Sequence, residues 1–218
     1  RFEKYTMFYF KGELHDAITS QVHYPSISSH RFADISSEIL GISFFGKKLS
    51  QSKFTKPLGD DFILILPSVI VNEIVTLLYP AFDIEKLKSG DSFLSGKKGE
   101  RIGSDKIHLL DNALLPSGYN SRSFDPNGYP PRVLTLINEG IFQDYYVPQR
   151  SKTDFPTGHL GFDGELSAGN LLVHNGRRSQ NMVLADRSMA LVATETLETI
   201  QLDIKTGRLR IFANYQVV

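Results

Sequence analysis

The stretch RVLTLINEGIFQDYYV, Arg132 to Val147, decides the fold class. Arg132 to Ile137 and Ile141 to Val147 are rich in β-branched and aromatic residues, the composition that suits a pleated, half-buried surface. Asn138, Glu139 and Gly140 stand between them. That spacing predicts a hairpin whose glycine takes the left-handed conformation without steric cost. The pattern recurs where Met189 to Thr194, Leu197 to Ile204 and Arg208 to Val218 surround the turn Lys205-Thr206-Gly207. Asp125-Pro126-Asn127-Gly128 is a further turn signal. Beyond residue 110 the chain therefore reads as antiparallel sheet, with Ser179 to Asp186 as its one helical window.

Upstream, Phe62 to Leu66 (FILIL) is a continuous apolar run between Asp61 and Pro67, which reads as a strand buried on both faces. Pro67 fits the first position of a helix. Val69, Ile70, Ile74, Val75, Leu77 and Leu78 then give a wide apolar face over 68–79, and Pro80 ends it. Glycines at 90, 96, 99 and 103 mark a loop before Ile107 to Leu110 resumes a strand. Residues 1–27 alternate loosely between aromatic and polar, as strands with one wet face do. Ser28-Ser29 can cap a short helix carrying Phe32, Ile35, Ile39 and Leu40, with Gly41 as its stop. Lys47 to Asp61, with four lysines and a proline, reads as a linker. The expected fold class is α+β, predominantly antiparallel β-sheet with a few short helices. Its expected units are residues 1–56, N-terminal strands plus a short helix, and a β-rich domain over 57–218.

Composition narrows the chemistry. With 218 residues, 41% of them hydrophobic, the chain can bury a core. Lys plus Arg and Asp plus Glu number 24 each, so no global positive field gathers nucleic acid or anionic lipid. The longest apolar stretch, Phe62 to Val71, is broken by Pro67 and falls far short of the roughly 20 residues of a membrane span. Neither nucleic acid nor a membrane is an expected partner, and the expected location is cytoplasmic. Cysteine is absent, which removes disulfides, thiolate nucleophiles and cysteine-ligated metals. The chain opens at Arg1 without an initiator Met, so it can be a piece of something longer.

The six histidines, at 15, 23, 30, 108, 159 and 174, form neither HExxH nor HExxxH. His15, His23 and His30 could meet through one hairpin geometry; otherwise they are ordinary exposed or hydrogen-bonded histidines. There is no G-x-S-x-G elbow. Gly90 to Lys98 (GDSFLSGKK) imitates a phosphate loop, but Lys98 stands where Ser or Thr should hold magnesium, and a helix precedes it instead of a strand. Asp60-Asp61 resembles solvated turn charge. Lys97, Lys98 and Arg101, and Arg177-Arg178, lack the interleaved aromatics of a nucleic-acid surface.

Six ordered segments from Ser89 onward carry a resemblance: SGDSFLSGKKGERIGSDKIHLLDN, LPSGYNSRSFDPNGYPPR, LINEGIFQDYYV, FPTGH, NLLVHNGRRSQNMVLADRSMALVAT and IKTGRLRIFANYQVV. In order and content they resemble the TldD/PmbA family, also called modulators of DNA gyrase. TldD subunits carry an HExxxH zinc helix where this chain reads SVIVNEIVTLLYP, without histidine. The resemblance is therefore to the PmbA (TldE) side. Departures are His159 where Asn is usual, Arg208-Leu209 for Asp-Phe, an end at Val218 where relatives continue, and little counterpart in residues 1–61 to the larger N-terminal region.

The resemblance implies the fold of the family's C-terminal domain and the role of a non-catalytic, metal-free subunit in a TldD/TldE-type heterodimeric metallopeptidase. It implies that this chain itself holds no cofactor, that a TldD-like partner holds zinc, and that the substrate is a peptide. Self-association, as a stand-alone β-rich peptide- or ligand-binding module, is the competing expectation, and an independent metalloenzyme built on His15, His23 and His30 ranks last. The loops Gly118 to Phe124 and Pro156 to Asn170 are expected to face substrate or partner, because glycine permits close backbone approach. Their candidate residues are Gly118, Ser121, Phe124, Asp125, Thr157, Gly158, His159 and Asn170. No catalytic or metal-ligating residue is expected here.

Overall fold

The computed structural model describes residues 8–11, 14–15, 22–23, 26–29, 63–149, 154–174, 176, 190–196 and 199–217. The expected linker, His30, the helix expected after Ser29, the helix expected at 179–186 and Arg177-Arg178 lie outside the described residues.

The hairpin read from Arg132 to Val147 forms one side of a four-stranded antiparallel sheet, with strands shorter than the stretch read from the sequence. Its strands are β6 (Leu109–Asp111), β7 (Leu134–Asn138), β8 (Ile141–Phe142) and β9 (Leu171–Val173), in the order β8-β7-β6-β9. Glu139 (φ 49°) and Gly140 (φ 73°) both turn left-handed between β7 and β8, the twist a two-residue hairpin loop needs. A second sheet has the order β13-β10-β5, built from β5 (Ile63–Ile65), β10 (Ala190–Thr196) and β13 (Ala213–Val217). There β10 runs antiparallel to β13 and parallel to β5. The turn around Gly207 (φ 71°) joins β11 (Gln201–Asp203) to β12 (Arg208–Arg210). In the N-terminal region β1 (Phe8–Lys11) pairs with β4 (Ser26–Ser29), and β2 (Leu14–His15) with β3 (Val22–His23). The α+β class with mostly antiparallel sheet is the observed one.

The helix expected over 68–79 is α1, Ser68–Leu78. Pro67 precedes it as the N-cap, extended at ψ 158°, instead of occupying its first turn. The helix serves two cores. Val71, Val75 and Leu78 pack toward the cluster of Phe82, Leu94, Leu109, Leu134, Leu136, Phe142 and Tyr146, while Ile70, Ile74 and Leu77 pack toward Ala193 and Ile200. Val69, expected on the apolar face, is 73% exposed because it falls on neither stripe. In β5, Leu64 is 53% exposed, so this strand is not covered on both faces. Each large side chain fully buried in the main cluster is worth about 1.5–3 kcal/mol of transfer free energy. Phe82 and Phe142 add an edge-to-face contact at 5.2 Å and 79°.

Ser28 and Ser29 lie in β4, opposite Tyr9 and Phe8. One further expectation is corrected. The stretch before Gly90 is not all loop: α2 (Ile84–Ser89) starts where the Asp83 side chain accepts the Glu85 N–H and stops at Gly90 (φ 80°). From Gly90 to Lys98 the chain then turns repeatedly, with the Phe93 N–H bonded to Ile204 O, so no phosphate loop is built. Among the described residues no helix is long and apolar enough to cross a membrane.

Candidate functional site

β6 ends at Asp111, in the middle of the main sheet, and the chain leaves into a long loop over 112–133. The 154–170 loop returns beside it before β9. Among the candidate residues, Gly118, Ser121 and Asn170 meet directly. Asn170 Nδ2 donates to Asn112 O at 2.8 Å and to Ser121 Oγ at 2.9 Å, and Asn170 Oδ1 accepts from Asn120 N at 3.0 Å. The Ser121 hydroxyl in turn donates to Leu115 O. A Cβ on Gly118 would stand 2.6 Å from both Asn170 Nδ2 and Ser121 Oγ. Any larger residue here would displace the Asn170 or Ser121 side chain.

Thr157, Gly158 and His159 form a second group. Buried Thr157 binds Val147 through its own N–H (2.9 Å) and accepts the Val147 N–H at Oγ1 (3.1 Å). Gly158 needs its positive φ of 76°, and a Cβ there would lie 2.4 Å from Pro130 O. Asp125, also buried, closes the turn predicted at 125–128 by accepting the Asn127 and Tyr129 N–H groups on Oδ1. Phe124 is 40% exposed beside it.

Arg122 joins the two groups. Its guanidinium donates to Gly158 O, Ala168 O, Ser167 Oγ and Ser167 O, all on the 154–170 loop. Every one of these acceptors is neutral, so the balancing charge comes from Asp111 and Asp125 through space. Burial lowers the Arg122 pKa from its ordinary value while those two carboxylates oppose the shift. Asp111 is fully buried; its Oδ2 accepts from Tyr146 Oη at 2.7 Å and from Gly169 N at 2.8 Å. Burial raises the Asp111 pKa, against the pull of Tyr146, Gly169 and Arg122. Tyr146 is driven well above its usual value, by burial first and then by the Asp111 charge.

His159 completes the cluster. Its ring stands edge-on to Tyr146 at 5.1 Å, with Nε2 3.6 Å from Asp111 Oδ2. Burial, then Arg122, lowers its pKa to about 3. It is neutral at pH 7, so the contact with Asp111 is not an ion pair; at 3.6 Å Nε2 makes no hydrogen bond to that carboxylate, and the Thr157 backbone only partly opposes the downward shift. Arg122, Asp111 and Tyr146 were not singled out from the sequence. The lone acid closing the apolar run IHLLD was the signal available for Asp111; nothing local marks the other two. Beside Arg122 a depression of about 250 Å³ opens, lined by Ala113, Leu114, Ser121, Arg122 and Ser123.

Two of the basic candidates, Lys98 and Arg101, are occupied within the fold. Lys98 Nζ lies 4.3 Å over the Tyr145 ring, and Arg101 Nη1 donates to Glu139 O. In the β2–β3 ladder His15 opposes Val22 and His23 opposes Leu14, so the two histidines occupy positions of opposite parity. No group of three or more metal-binding side chains forms among the described residues, and α1 contains no histidine. These residues do not fit a catalytic zinc ion. What the cluster does is fasten two loops to one end of a sheet.

An α+β domain of mostly antiparallel sheet with a clasp of paired loops, and no zinc ligand set among the described residues, is thus the class the structure defines. The sequence pattern of the PmbA/TldA metallopeptidase C-terminal domain matches residues 60–218. The chain belongs to the PmbA/TldD family. It is similar to an uncharacterised protein of Methanocaldococcus jannaschii, 23% identical over 137 residues, which covers 63% of this chain and 32% of that one. A metalloprotease of Methanothermobacter thermautotrophicus is 31% identical over 61 residues, 28% of this chain and 13% of that protein. Among solved structures, TldE of Thermococcus kodakarensis superposes with a TM-score of 0.68 at 18% identity, over 97% of this chain and 53% of that one. A Thermotoga maritima protein described as a candidate modulator of a DNA gyrase gives 0.73 at 20% identity, over 97% and 51%. The chain thus spans about a third of the first archaeal relative and about half of each solved one.

Proposed function

We propose that this chain is the metal-free, non-catalytic subunit of a TldD/TldE-type heterodimeric metallopeptidase, supplying one wall of the chamber that holds an unfolded or precursor peptide. The observation that carries the reading is the Arg122–Asn170 clasp. It leads directly into β9, an edge of the main sheet among the described strands, and extended peptides bind such edges through main-chain hydrogen bonds. The family membership and the poor fit to zinc support the division of labour: catalytic zinc and its activated water belong to a TldD-like partner. In this chain Gly118, Ser121 and Asn170 shape the wall, Arg122 fixes the loop spacing, and Asp125, Thr157, Gly158 and His159 hold the second loop from below. Phe124 lies at the rim.

The test is co-purification with a cognate TldD-like subunit, with cleavage of an unfolded peptide followed for each chain and for the mixture. Activity confined to the mixture supports the proposal. No complex and no gain in cleavage refutes it. A stand-alone peptide-binding module is the second reading, favoured by a clasp built entirely from one chain; peptide binding by the isolated chain, with no complex formed, would select it.

A further inference from the structure

Away from the clasp, at the other end of the β6–β9 ladder, two histidines stand across from one another. The register pairs Leu109 with Val173, and one step further the His174 N–H donates to His108 O at 3.2 Å. Directly opposed residues of an antiparallel pair share a face. Accordingly the two imidazole rings lie side by side, with centroids 5.8 Å apart and planes tilted by 38°. His174 is exposed and His108 half-buried.

This separation is within the range two ligands on one ion can take. At a Zn–N distance of about 2.0–2.1 Å an imidazole centroid lies about 3.2 Å from the metal, so two rings subtending about 110–130° stand about 5–6 Å apart. The support around His108 is also of the kind a ligand requires. Nδ1 lies 3.0 Å from Asn138 Oδ1, and in the tautomer in which Nδ1–H donates to that oxygen Nε2 keeps its lone pair, whereas the Glu139 N–H, 3.4 Å from the same nitrogen, is satisfied only in the other tautomer. A hydrogen bond to the second ring nitrogen is what orients a ligating histidine and sets its tautomer. Asn138 and Glu139 are held in turn by the left-handed β7–β8 turn, whose geometry is independent of any ion.

We propose that His108 and His174 form an open surface site for a divalent transition-metal ion of the zinc, nickel or copper type, the ions for which imidazole is a suitable ligand. Two protein ligands leave the remaining positions to water, so the bound ion exchanges and can accept a donor atom from another molecule. The inference concerns a surface ion, not the catalytic zinc whose absence from this chain the peptidase reading means by metal-free, and it does not depend on that reading. Sixty-six positions separate the two residues in the chain, so no spacing motif announces them.

The experiment is a calorimetric titration of the whole chain with zinc chloride and with nickel chloride in a non-coordinating buffer near neutral pH, alongside NMR of the imidazole resonances. One equivalent should bind, with zinc-dependent shifts confined to His108 and His174. Asn138→Ala should weaken binding by about 10–100-fold, and His108→Gln and His174→Gln by more than that. Absence of saturable binding into the millimolar range overturns the site, as does unchanged affinity in either histidine variant. Shifts centred on another histidine overturn it equally. The spectra of the unaltered protein decide the matter even if a variant misfolds.

Discussion

Replacing Tyr146 by Phe removes a single oxygen from the centre of the clasp and leaves its packing in place. The ring keeps its edge-on contacts with Tyr79 at 6.1 Å and His159 at 5.1 Å, but Asp111 Oδ2 loses the 2.7 Å bond from the hydroxyl. A hydrogen bond to a charged group is worth about 1.5–3 kcal/mol and one between neutral groups about 0.5–1.5 kcal/mol. The cost therefore depends on the state of Asp111. Burial places its folded pKa above 3.8, so over the interval between those values the native state binds more protons than the unfolded chain. Stability contributed by this group accordingly falls as pH rises through that window. Removing the hydroxyl withdraws support from the charged form and moves the folded pKa higher still. Tyr146→Phe should lose about 1.5–3 kcal/mol near neutral pH, a Tm lower by roughly 3–12 °C for a domain of this size, and the deficit should shrink as pH falls toward 3.8. Urea denaturation of Tyr146→Phe, Asp111→Asn and the double variant, each at several pH values, measures the coupling directly. A deficit below about 0.5 kcal/mol, one insensitive to pH, or strict additivity in the cycle would refute the reasoning.

The His159 pKa of about 3 lies below the ordinary 6.5, so between those values the unfolded chain binds the extra proton and stability should fall by up to about 1.4 kcal/mol for each unit of acidification. Denaturation profiles of wild type and His159→Asn between pH 7 and 4 should diverge, with the variant flatter. Arg122→Lys cannot reproduce the fork onto Gly158, Ser167 and Ala168 and should cost about 3 kcal/mol or more, read by chemical denaturation. Hydrogen exchange should quicken in the 154–170 loop at the same time. Gly118→Ala forces Asn170 or Ser121 to move and should cost about 1–3 kcal/mol, whereas Gly158→Ala meets the Pro130 backbone at positive φ and should be the more severe of the two in thermal melts.

Local chemistry made much of the fold legible. Asn138-Glu139-Gly140 predicted its hairpin because turn geometry is settled within a few residues, and the spacing of Ile70, Ile74 and Val75 predicted α1. Val69 was misassigned because periodicity locates a stripe but not its edges when a helix faces two cores. The helix Ile84–Ser89 was readable in principle: Asp83 caps it, Glu85 and Lys88 suit its termini and Gly90 stops it. Its six residues were too short for the apolar pattern to emerge above the glycines that follow. In the candidate site, the glycines and Asn170 stand out because glycine permits close backbone approach in the two loops that carry them. Arg122 and Asp111 acquire meaning only when residues 35 to 58 positions away close over them, and no local propensity encodes such a closure.

The parallel pairing of β5 with β10 sets the order in which this domain can be made. Ile63 opposes Ala190, so on the ribosome the first strand of that sheet waits for about 130 further residues, roughly 6–25 s at ordinary rates of synthesis. During that interval α1 can begin to settle on the hairpin sheet through Val75, while Ile70, Ile74 and Leu77 await Ala193 and Ile200. The nascent chain thus presents an apolar helical stripe before its cover exists.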